Sequence, residues 1–406
     1  MFVNVVRTVV PWPILVLMCF LAPSSRAVDH DRYLVVNIIP GENHRAIFED
    51  VHRTIGDPAT GRPAIGIAAI FSYLDAPRDS VQRDLLRFLA LAEEFAIPVV
   101  VQLDGEQWWR ARPDLWNWWD PAGAGYDPAN ASNVEWAGWG PDHAMKIAWR
   151  NWGRQIRVLP PPNFMSPRYR TACHDEMRAL VPLVVSWWHR LPPSRRHLLI
   201  GVKLGWESAI GVNSFFLPEG NALLDSAESR DPQVELQAAS VPDRGVVAIG
   251  YAAVSTSGLA TGGALQEAHL AEIVRRHLDD LCSLAGDLGV PRERLFTHVG
   301  GWKEDELLYR AAFNTHSCPG WSFYRHAVDA RGDAGVQHVL AESDAPFWAA
   351  AEWLLMGEHT VAEWQGAIMH ALDMPKCRYV CVYNWTGVRG DAAAVRGIRA
   401  VITGAP

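Results

Sequence analysis

The chain has 406 residues, a formal net charge of −8 and 20% charged residues. This length is enough for one large domain with a sizeable core. The acidic balance and the lack of a basic stripe exclude nucleic acid as a predicted partner, because clustered lysine and arginine are needed to neutralise phosphates; we expect an uncharged substrate instead.

Residues 1–27 are predicted to be a signal peptide. Arg7 precedes an apolar stretch from Pro13 to Ala22, and Ser25 and Ala27 supply the small residues of a cleavage site. The apolar stretch is about ten residues long, whereas a membrane-spanning helix needs roughly 20. We therefore expect residues 28–406 to form a single exported domain without stable membrane insertion, and the sequence leaves its oligomeric state open.

Five cysteines follow the predicted signal peptide, and none of them has the spacing of a zinc site. An odd number excludes a complete disulfide framework, so we expect mostly buried thiols, with one or two disulfides left open. No cofactor or metal ion is predicted. The residues are Cys173, Cys282, Cys318, Cys377 and Cys381.

Tryptophan is unusually abundant, with 19 residues against 9 tyrosines and 13 phenylalanines. Its flat apolar face with one N–H donor matches the C–H face of a pyranose ring surrounded by hydroxyls. We expect about half of the tryptophans to fill the core. The others indicate an oligo- or polysaccharide partner.

Short apolar runs alternate with stretches of helical periodicity along the whole chain. The predicted strands are Tyr33 to Ile39, Ala64 to Phe71, Ile97 to Leu103, His197 to Leu204, Leu295 to Val299, Gly320 to Phe323, Val336 to Ala341 and Tyr379 to Tyr383. The clearest predicted helices are Ser80 to Phe95, Pro167 to Arg190, Ala264 to Leu288 and Phe347 to Leu372.

Eight such strands separated by helices predict an α/β fold, a (β/α)₈ TIM barrel, rather than an open doubly wound sheet. An open nucleotide-binding sheet would have a glycine-rich turn after its first strand, and residues 39–43 contain no G-x-G-x-x-G. Long segments follow the third and fourth strands, Asp104 to Pro167 and Ser208 to Gly263. Loops in these positions lie at the barrel mouth, where active sites are built.

Two glutamates come directly after predicted strands, Glu207 after the fourth and Glu342 after the seventh. A carboxylate that ends a buried strand must be solvated, paired or functional. Cleavage of a glycosidic bond requires two carboxyl groups, one on each side of the sugar ring. We therefore predict Glu207 and Glu342 as the catalytic pair.

This arrangement resembles the retaining glycoside hydrolases of clan A, which are barrels with catalytic glutamates on strands four and seven. The resemblance implies that Glu207 is the acid/base and Glu342 the nucleophile in the hydrolysis of a β-linked sugar. It also implies that Trp385, after strand eight, forms the floor of the subsite at the cleavage point. The chain departs from that family at Trp206, where clan A usually has an asparagine.

Further polar and aromatic residues at predicted strand ends and loops are candidates for substrate binding. Salt bridges, turns or core packing are the competing interpretations for each of them, and a packed lid is the alternative for the loop tryptophans. These candidates are Asp104, Glu106, Trp108, Trp109, Trp206, Asn213, His298, Trp321 and Trp385.

Two other functions remain open at this point. An inverting glycosidase, in the manner of beta-amylase, takes glutamates from the same two strands but holds them farther apart to admit a water. A carbohydrate-binding barrel without turnover would keep the tryptophans. A metal-dependent hydrolase is disfavoured, because no His/Asp cluster has ligand spacing.

Overall fold

The computed structural model describes residues 32–57, 59, 61–146, 148–151, 155–210, 248–300 and 306–405. The predicted signal peptide and Asn213 lie outside these ranges, so both stay predictions. Within the described ranges, no helix combines the length and the apolar character needed to cross a lipid bilayer.

Eight parallel strands close into a barrel in which each strand pairs with its neighbours along the chain and the last pairs with the first. The prediction of a (β/α)₈ barrel is therefore confirmed. The strands are β1 (Tyr33–Ile38), β2 (Ala64–Ser72), β3 (Val99–Asp104), β4 (Leu199–Ser208), β5 (Leu295–Val299), β6 (Gly320–Phe323), β7 (Trp348–Trp353) and β8 (Cys377–Val382).

Helices follow the strands and pack around the barrel. The helix that starts at Val361 has a capping box of Thr360 and Glu363. The last helix is capped by Asp391 at its start and by Gly404 after its final residue, Thr403. The helices are α1 (His44–Ile55), α2 (Arg78–Phe95), α3 (Pro113–Trp116), α4 (Pro167–Arg190), α5 (Tyr251–Thr256), α6 (Glu267–Asp287), α7 (Glu306–Arg310), α8 (Ala334–Glu342), α9 (Val361–Leu372), α10 (Trp385–Val388) and α11 (Ala392–Thr403).

The long segment between β3 and α4 covers part of the carboxyl end of the barrel. It contains α3, short 3-10 turns at Pro128–Ser132 and Pro141–His143, and a two-stranded antiparallel ribbon formed by Ala148–Asn151 and Gln155–Val158. The segment is fastened by Glu135, which is fully buried and accepts hydrogen bonds from the backbone N–H groups of Ala252 and Ala253 at 3.2 and 3.3 Å.

The prediction of a seventh strand at Val336 to Ala341 is wrong, because these residues form α8. Asp333 caps this helix, and only Val336 and Val339 are buried, which is the spacing of a helix face. The true seventh strand lies at Trp348–Trp353, within the segment predicted as a helix. Its alanines favour a helix locally, but all six residues are buried between the lumen and the helices, and this burial decides in favour of a strand.

The amino end of the lumen is closed by aromatic and aliphatic side chains. Phe296 and Tyr379 meet edge to face with their ring centroids 5.1 Å apart. Gly66 and Gly201 leave room for them and for Ile200, since a Cβ on Gly66 would lie 2.7 Å from Ile200 Cδ1. This end is a packed plug, in keeping with the interior of other small barrels.

All five cysteines within the described ranges are buried free thiols. Burial raises the pKa of Cys173, Cys282 and Cys381, so these thiols are inert at neutral pH. The expectation of small core residues is confirmed.

Candidate functional site

Strand β4 bulges where it reaches the mouth of the barrel. Leu204 pairs with Thr297 and Ser208 pairs with Val299, so three residues of β4 lie opposite one residue of β5. The excess is accommodated by positive φ angles at Gly205 (82°) and Glu207 (51°). A glutamate rarely adopts this left-handed conformation, which costs roughly 1–2 kcal/mol. The bulge gives Glu207 a side-chain direction that regular alternation would not.

Strand β7 has a bulge of its own next to its glutamate. Trp321 pairs with Ala350 and Ser322 pairs with Glu352, which leaves Ala351 as the extra residue. A bulge of this kind re-aims the following side chain. Glu352 is only 2% exposed and takes the place at the end of strand seven that Glu342 was predicted to occupy.

Three neighbouring groups stabilise the charge of Glu352. The phenol O–H of Tyr324 and the indole N–H of Trp206 donate hydrogen bonds to its carboxylate, and Lys203 brings a positive charge close by. Burial raises the pKa of Glu352, while Lys203 and the two donors oppose that rise. Its Oε2 atom has no hydrogen-bond partner among the described residues.

The charges of Glu207 and Glu352 affect the pKa of the same two tyrosines. Burial raises the pKa of Tyr324 and Tyr383, and the negative charges of Glu352 and Glu207 raise both further. Coulombic effects of this kind require proximity in a partly dehydrated site. Both glutamates also lie near the carboxyl ends of their strands, β4 and β7, so they occupy the same end of the barrel.

The backbone around Glu207 is held by Glu106, which is 3% exposed. Its carboxylate accepts from the Ser208 hydroxyl at 2.7 and 2.8 Å, and the Trp206 N–H points to it at 3.5 Å. His277 Nε2 lies 3.1 Å from Glu106, on a ring stacked against Phe164 at 4.2 Å. Glu106 therefore contacts the residues on both sides of Glu207, and its carboxylate oxygens are already engaged by these donors.

Asp104 ends β3 as predicted and is fully buried. It accepts hydrogen bonds from the Ser72 hydroxyl and from the backbone N–H groups of Glu106 and Gln107, at 2.9, 2.9 and 3.2 Å. Burial and the charge of Glu106 raise the pKa of Asp104 to about 7, although these donors oppose the shift. Asp104 thus shapes the turn that carries Glu106.

His298 lies inside the barrel on β5, as predicted, and is fully buried. Its Nε2 atom is 2.8 Å from the Ser322 hydroxyl. Burial and the positive charge of Lys203 lower the pKa of His298 well below its usual value, so the ring is neutral. Its ring is fully buried in the barrel near Lys203, so no face of it is open to a ligand in this structure.

The prediction of Glu342 as a catalytic residue is wrong on position. Its side chain lies at the end of α8, 44% exposed, and forms an ion pair with Arg310 at 2.8 Å. The Arg310 guanidinium lowers the pKa of Glu342. Glu342 is a surface residue on the outside of the barrel.

Three tryptophans predicted to bind substrate are packed in the core instead. Trp109 donates its indole N–H to Pro160 O, Trp321 to Tyr309 O and Trp385 to Asp50 Oδ2. None is more than 1% exposed, so no indole face is open to a sugar. The predictions for Trp109, Trp321 and Trp385 are therefore wrong, and for these residues the core interpretation holds.

Other tryptophans of the β3–α4 segment keep partly exposed faces. Trp108 is half-buried near the ribbon, and Trp118 donates its indole N–H to Met145 O under the Lys146 ammonium. Trp116 and Trp119 contact one another at 5.6 Å between ring centroids. Trp136, by contrast, is buried. The segment combines a packed lid with open aromatic faces.

The sequence interpretation missed Glu352, Tyr324 and Lys203. Glu352 was hidden in an alanine-rich segment with helical propensity, and Tyr324 directly follows the shortest strand. Lys203 did carry a signal, since it is a lone charge inside the apolar run of β4. A lysine that cannot reach water from such a strand must have a buried partner.

Among the described residues, no group of three or more His, Cys, Asp or Glu side chains could hold a metal ion. The acidic cluster at the mouth is built from carboxylates already bonded to hydroxyl, indole or amide donors.

No protein-family model matches this sequence, and no curated protein matches it. Solved structures with a similar course of the chain include a glycoside hydrolase family 5 enzyme from Prevotella bryantii, which is 8% identical over 93% of this chain and 97% of its own, with a TM-score of 0.41. A ruminal GH26 endo-β-1,4-mannanase is 11% identical over 92% and 63%, with a TM-score of 0.44. A GH20 exo-β-N-acetylglucosaminidase from Vibrio harveyi is 9% identical over 92% and 54%, with a TM-score of 0.45.

Proposed function

We propose that this chain hydrolyses a β-linked glycoside with retention of configuration, using Glu352 as the nucleophile and Glu207 as the acid/base. The proposal is supported chiefly by the placement of the two glutamates: both follow bulges at the carboxyl ends of β4 and β7, and Lys203 of β4 reaches across the lumen to Ala351, the residue before Glu352, at 2.7 Å. Paired carboxylates at the carboxyl end of a barrel are the machinery that glycoside hydrolysis requires.

The two glutamates differ in their surroundings, and the difference assigns their roles. Glu352 receives an O–H donor from Tyr324 and an N–H donor from Trp206 beside the Lys203 charge, which favours a carboxylate that attacks. Glu207 lies on a strained backbone that Glu106 fixes from both sides. Such fixed placement suits proton transfer, which depends on the distance to the departing oxygen.

In the first step, a Glu352 oxygen bonds to the anomeric carbon as the bond from that carbon to the departing oxygen breaks, and Glu207 gives its proton to that oxygen. In the second step, Glu207 takes a proton from a water whose oxygen bonds to the anomeric carbon, and the ester bond to Glu352 breaks. Both carboxyl groups return to their starting states, and no other reactant is consumed.

The substrate class follows from charge and shape. The chain is acidic overall and the mouth is rich in carboxylates, which disfavours anionic sugars. The half-buried faces of Trp108, Trp116 and Trp119 in the segment after β3 are suited to stack on the C–H faces of neutral sugar units. The Trp206 indole N–H is donated to Glu352 and so contributes to the nucleophile rather than to a sugar hydroxyl.

The proposal is tested with alanine variants and azide. The wild-type enzyme is incubated with an aryl β-glycoside, and the Glu352→Ala and Glu207→Ala variants are incubated with the same substrate and azide. The configuration of the products is determined by proton NMR. We expect retention in the wild type, an α-glycosyl azide from Glu352→Ala and a β-glycosyl azide from Glu207→Ala, because azide replaces the nucleophile in one case and the second-step water in the other.

Three results would overturn the proposal. Inversion by the wild-type enzyme indicates the inverting mechanism, and unchanged turnover in Glu352→Ala removes the nucleophile assignment. Glycan binding without product formation by the wild-type chain, across neutral β-linked oligosaccharides, indicates a binding protein instead.

A further inference from the structure

Lys203 crosses the lumen of the barrel to reach the strand that carries Glu352. It is fully buried, and its Nζ atom donates to the carbonyl oxygen of Ala351 at 2.7 Å. Strands β5 and β6 separate β4 from β7, so this bond is not part of the strand pairing. Ala351 is the extra residue of the β7 bulge and precedes Glu352 directly.

The charge of Lys203 needs a partner. Moving an ammonium group out of water costs several kcal/mol, and an adjacent opposite charge offsets this cost. Burial lowers the pKa of Lys203, while Cys381, Glu352 and Glu207 act in the opposite direction. Glu352 senses the lysine in return, because the Lys203 charge opposes the rise that burial imposes on its pKa.

We propose that Lys203 is a positioning residue for Glu352: its ammonium holds the Ala351 carbonyl, and with it the β7 bulge, and its charge is the counterion of the Glu352 carboxylate. This inference rests on the proposed function, since it concerns the same nucleophile. In this role Lys203 contacts neither the substrate nor the reacting atoms. It orients the Glu352 carboxylate and stabilises its negative charge.

Several titratable groups face this pair from the strands around it, and any pH effect must be assigned among them. They are Glu207 on β4, His298 on β5, Tyr324 after β6, and Cys381 and Tyr383 on and after β8. Burial raises the pKa of Tyr324, Cys381 and Tyr383 and lowers that of His298, so these four groups stay neutral across the working range. Among the groups that face the pair, Glu207 and Glu352 are left to shape the profile, and Asp104, whose pKa is raised to about 7 beside Glu106, is a further carboxyl group near the site that titrates in this range.

The kinetic test compares Lys203→Met and Lys203→Arg with the wild-type enzyme on an aryl β-glycoside. In Lys203→Met we expect kcat to fall about 100-fold with KM changed by less than about threefold, because a displaced nucleophile affects the reaction and not the binding. The acidic limb of the kcat/KM profile should move to higher pH by about one unit or more, because the carboxylate has lost its counterion. Lys203→Arg should restore the position of that limb but not the full rate, since guanidinium geometry differs.

Arg378 provides a matched control. It is another buried cation, only 5% exposed, and its guanidinium stacks 5.0 Å from the rings of Tyr33 and Phe347 at the amino end of the barrel. Arg378→Met removes a charge of the same sign from the same barrel. Its acidic limb should stay at the wild-type position.

A second measurement does not depend on activity. Melting temperatures are compared for the wild type, Lys203→Met, Glu352→Gln and the double variant. Lys203→Met should lower Tm more in the wild-type background than in the Glu352→Gln background, by about 2 °C or more. In the second background the lysine has lost its counterion, so removing it is neutral or stabilising. The cycle with Arg378→Met should be additive.

The two proposals fail differently. An additive Lys203/Glu352 cycle, or a Lys203→Met profile whose acidic limb has not moved, overturns the positioning role even if Glu352 is the nucleophile. If the cycle is coupled but Glu352→Gln keeps full turnover, the ion pair stands, whereas the proposed function is overturned and Lys203 no longer positions a nucleophile.

Discussion

The two ends of the barrel lumen differ in the polarity of the side chains that fill them. At the amino end, Phe296, Tyr379 and Ile200 fill the space with apolar contacts. At the carboxyl end, Asn37, Lys203 and Glu352 place amide and charged groups inside the lumen, where none of the three side chains is more than 2% exposed. Both side-chain atoms of Asn37 and one oxygen of Glu352 lack a hydrogen-bond partner among the described residues. The amino end is therefore mainly apolar, although the Tyr379 hydroxyl is buried there without a partner among the described residues, whereas the carboxyl end holds amide and charged groups at a cost in stability.

The largest expected difference is between Glu352 in the lumen and Glu342 on the surface, two glutamates that lie ten positions apart on the chain. Glu352→Gln should reduce kcat/KM at least about 10⁴-fold, because the nucleophile is lost. Glu342→Gln should leave the rate within about twofold, because an exposed ion pair contributes little. Steady-state kinetics on one aryl glycoside tests both. If both variants lost activity to the same extent, the distinction between a functional glutamate in the lumen and a surface glutamate on α8 would be wrong.

A change at the amino end should affect stability and spare the reaction. Phe296→Ala leaves a cavity against Tyr379 and should lower the free energy of unfolding by about 3–5 kcal/mol. The rate per folded molecule should stay close to that of the wild type. Urea unfolding and active-site-normalised kinetics measure the two effects, and Val328→Ala on the exposed surface is the control. A large rate loss at full folding would contradict the separation of the two ends.

The smallest effect concerns the pH dependence of stability. The pKa of Asp104 is raised from 3.8 to about 7 in the folded chain, mainly by burial. The stability that its protonated form provides is fully present below about pH 4 and is lost as pH rises towards 7, by up to about 1.4 kcal/mol per pH unit.

Asp104→Asn removes this titration and keeps an acceptor for the N–H groups of Glu106 and Gln107. Urea unfolding at pH 5, 6 and 7 should therefore show the variant gaining on the wild type as pH rises. Parallel curves would mean that Asp104 is already ionised in the folded chain.

Most of the barrel could be predicted from the sequence, because β-branched runs such as Val99–Leu103 occur where strands are buried on both sides. Near the seventh strand, local preference and tertiary context disagree. Residues 348–353 include three alanines and form a strand because small side chains fit between the lumen and the helices, whereas Val336 and Val339 lie on one face of a helix. No local pattern distinguishes these cases.

The candidate site could be predicted in part. The sequence indicates Glu207 and Asp104 because they come at the ends of apolar runs, and His298 because it lies within one; the structure places all three on the barrel strands, and their roles stay predictions. Glu352 could not be found without the correct register, since a bulge sets its direction. The number of tryptophans does not indicate which of them are exposed. Trp321 and Trp385 are fully buried, whereas Trp119 is half-buried, and this difference depends on the tertiary structure.

The positive φ angle of Glu207 has a consequence for how this protein can change. Glycine and asparagine adopt that conformation more easily than glutamate does, so the substitutions that relax this backbone also remove the proposed acid/base. Laboratory evolution for heat tolerance alone should therefore select variants with lower activity at this position, if Glu207 has the proposed role.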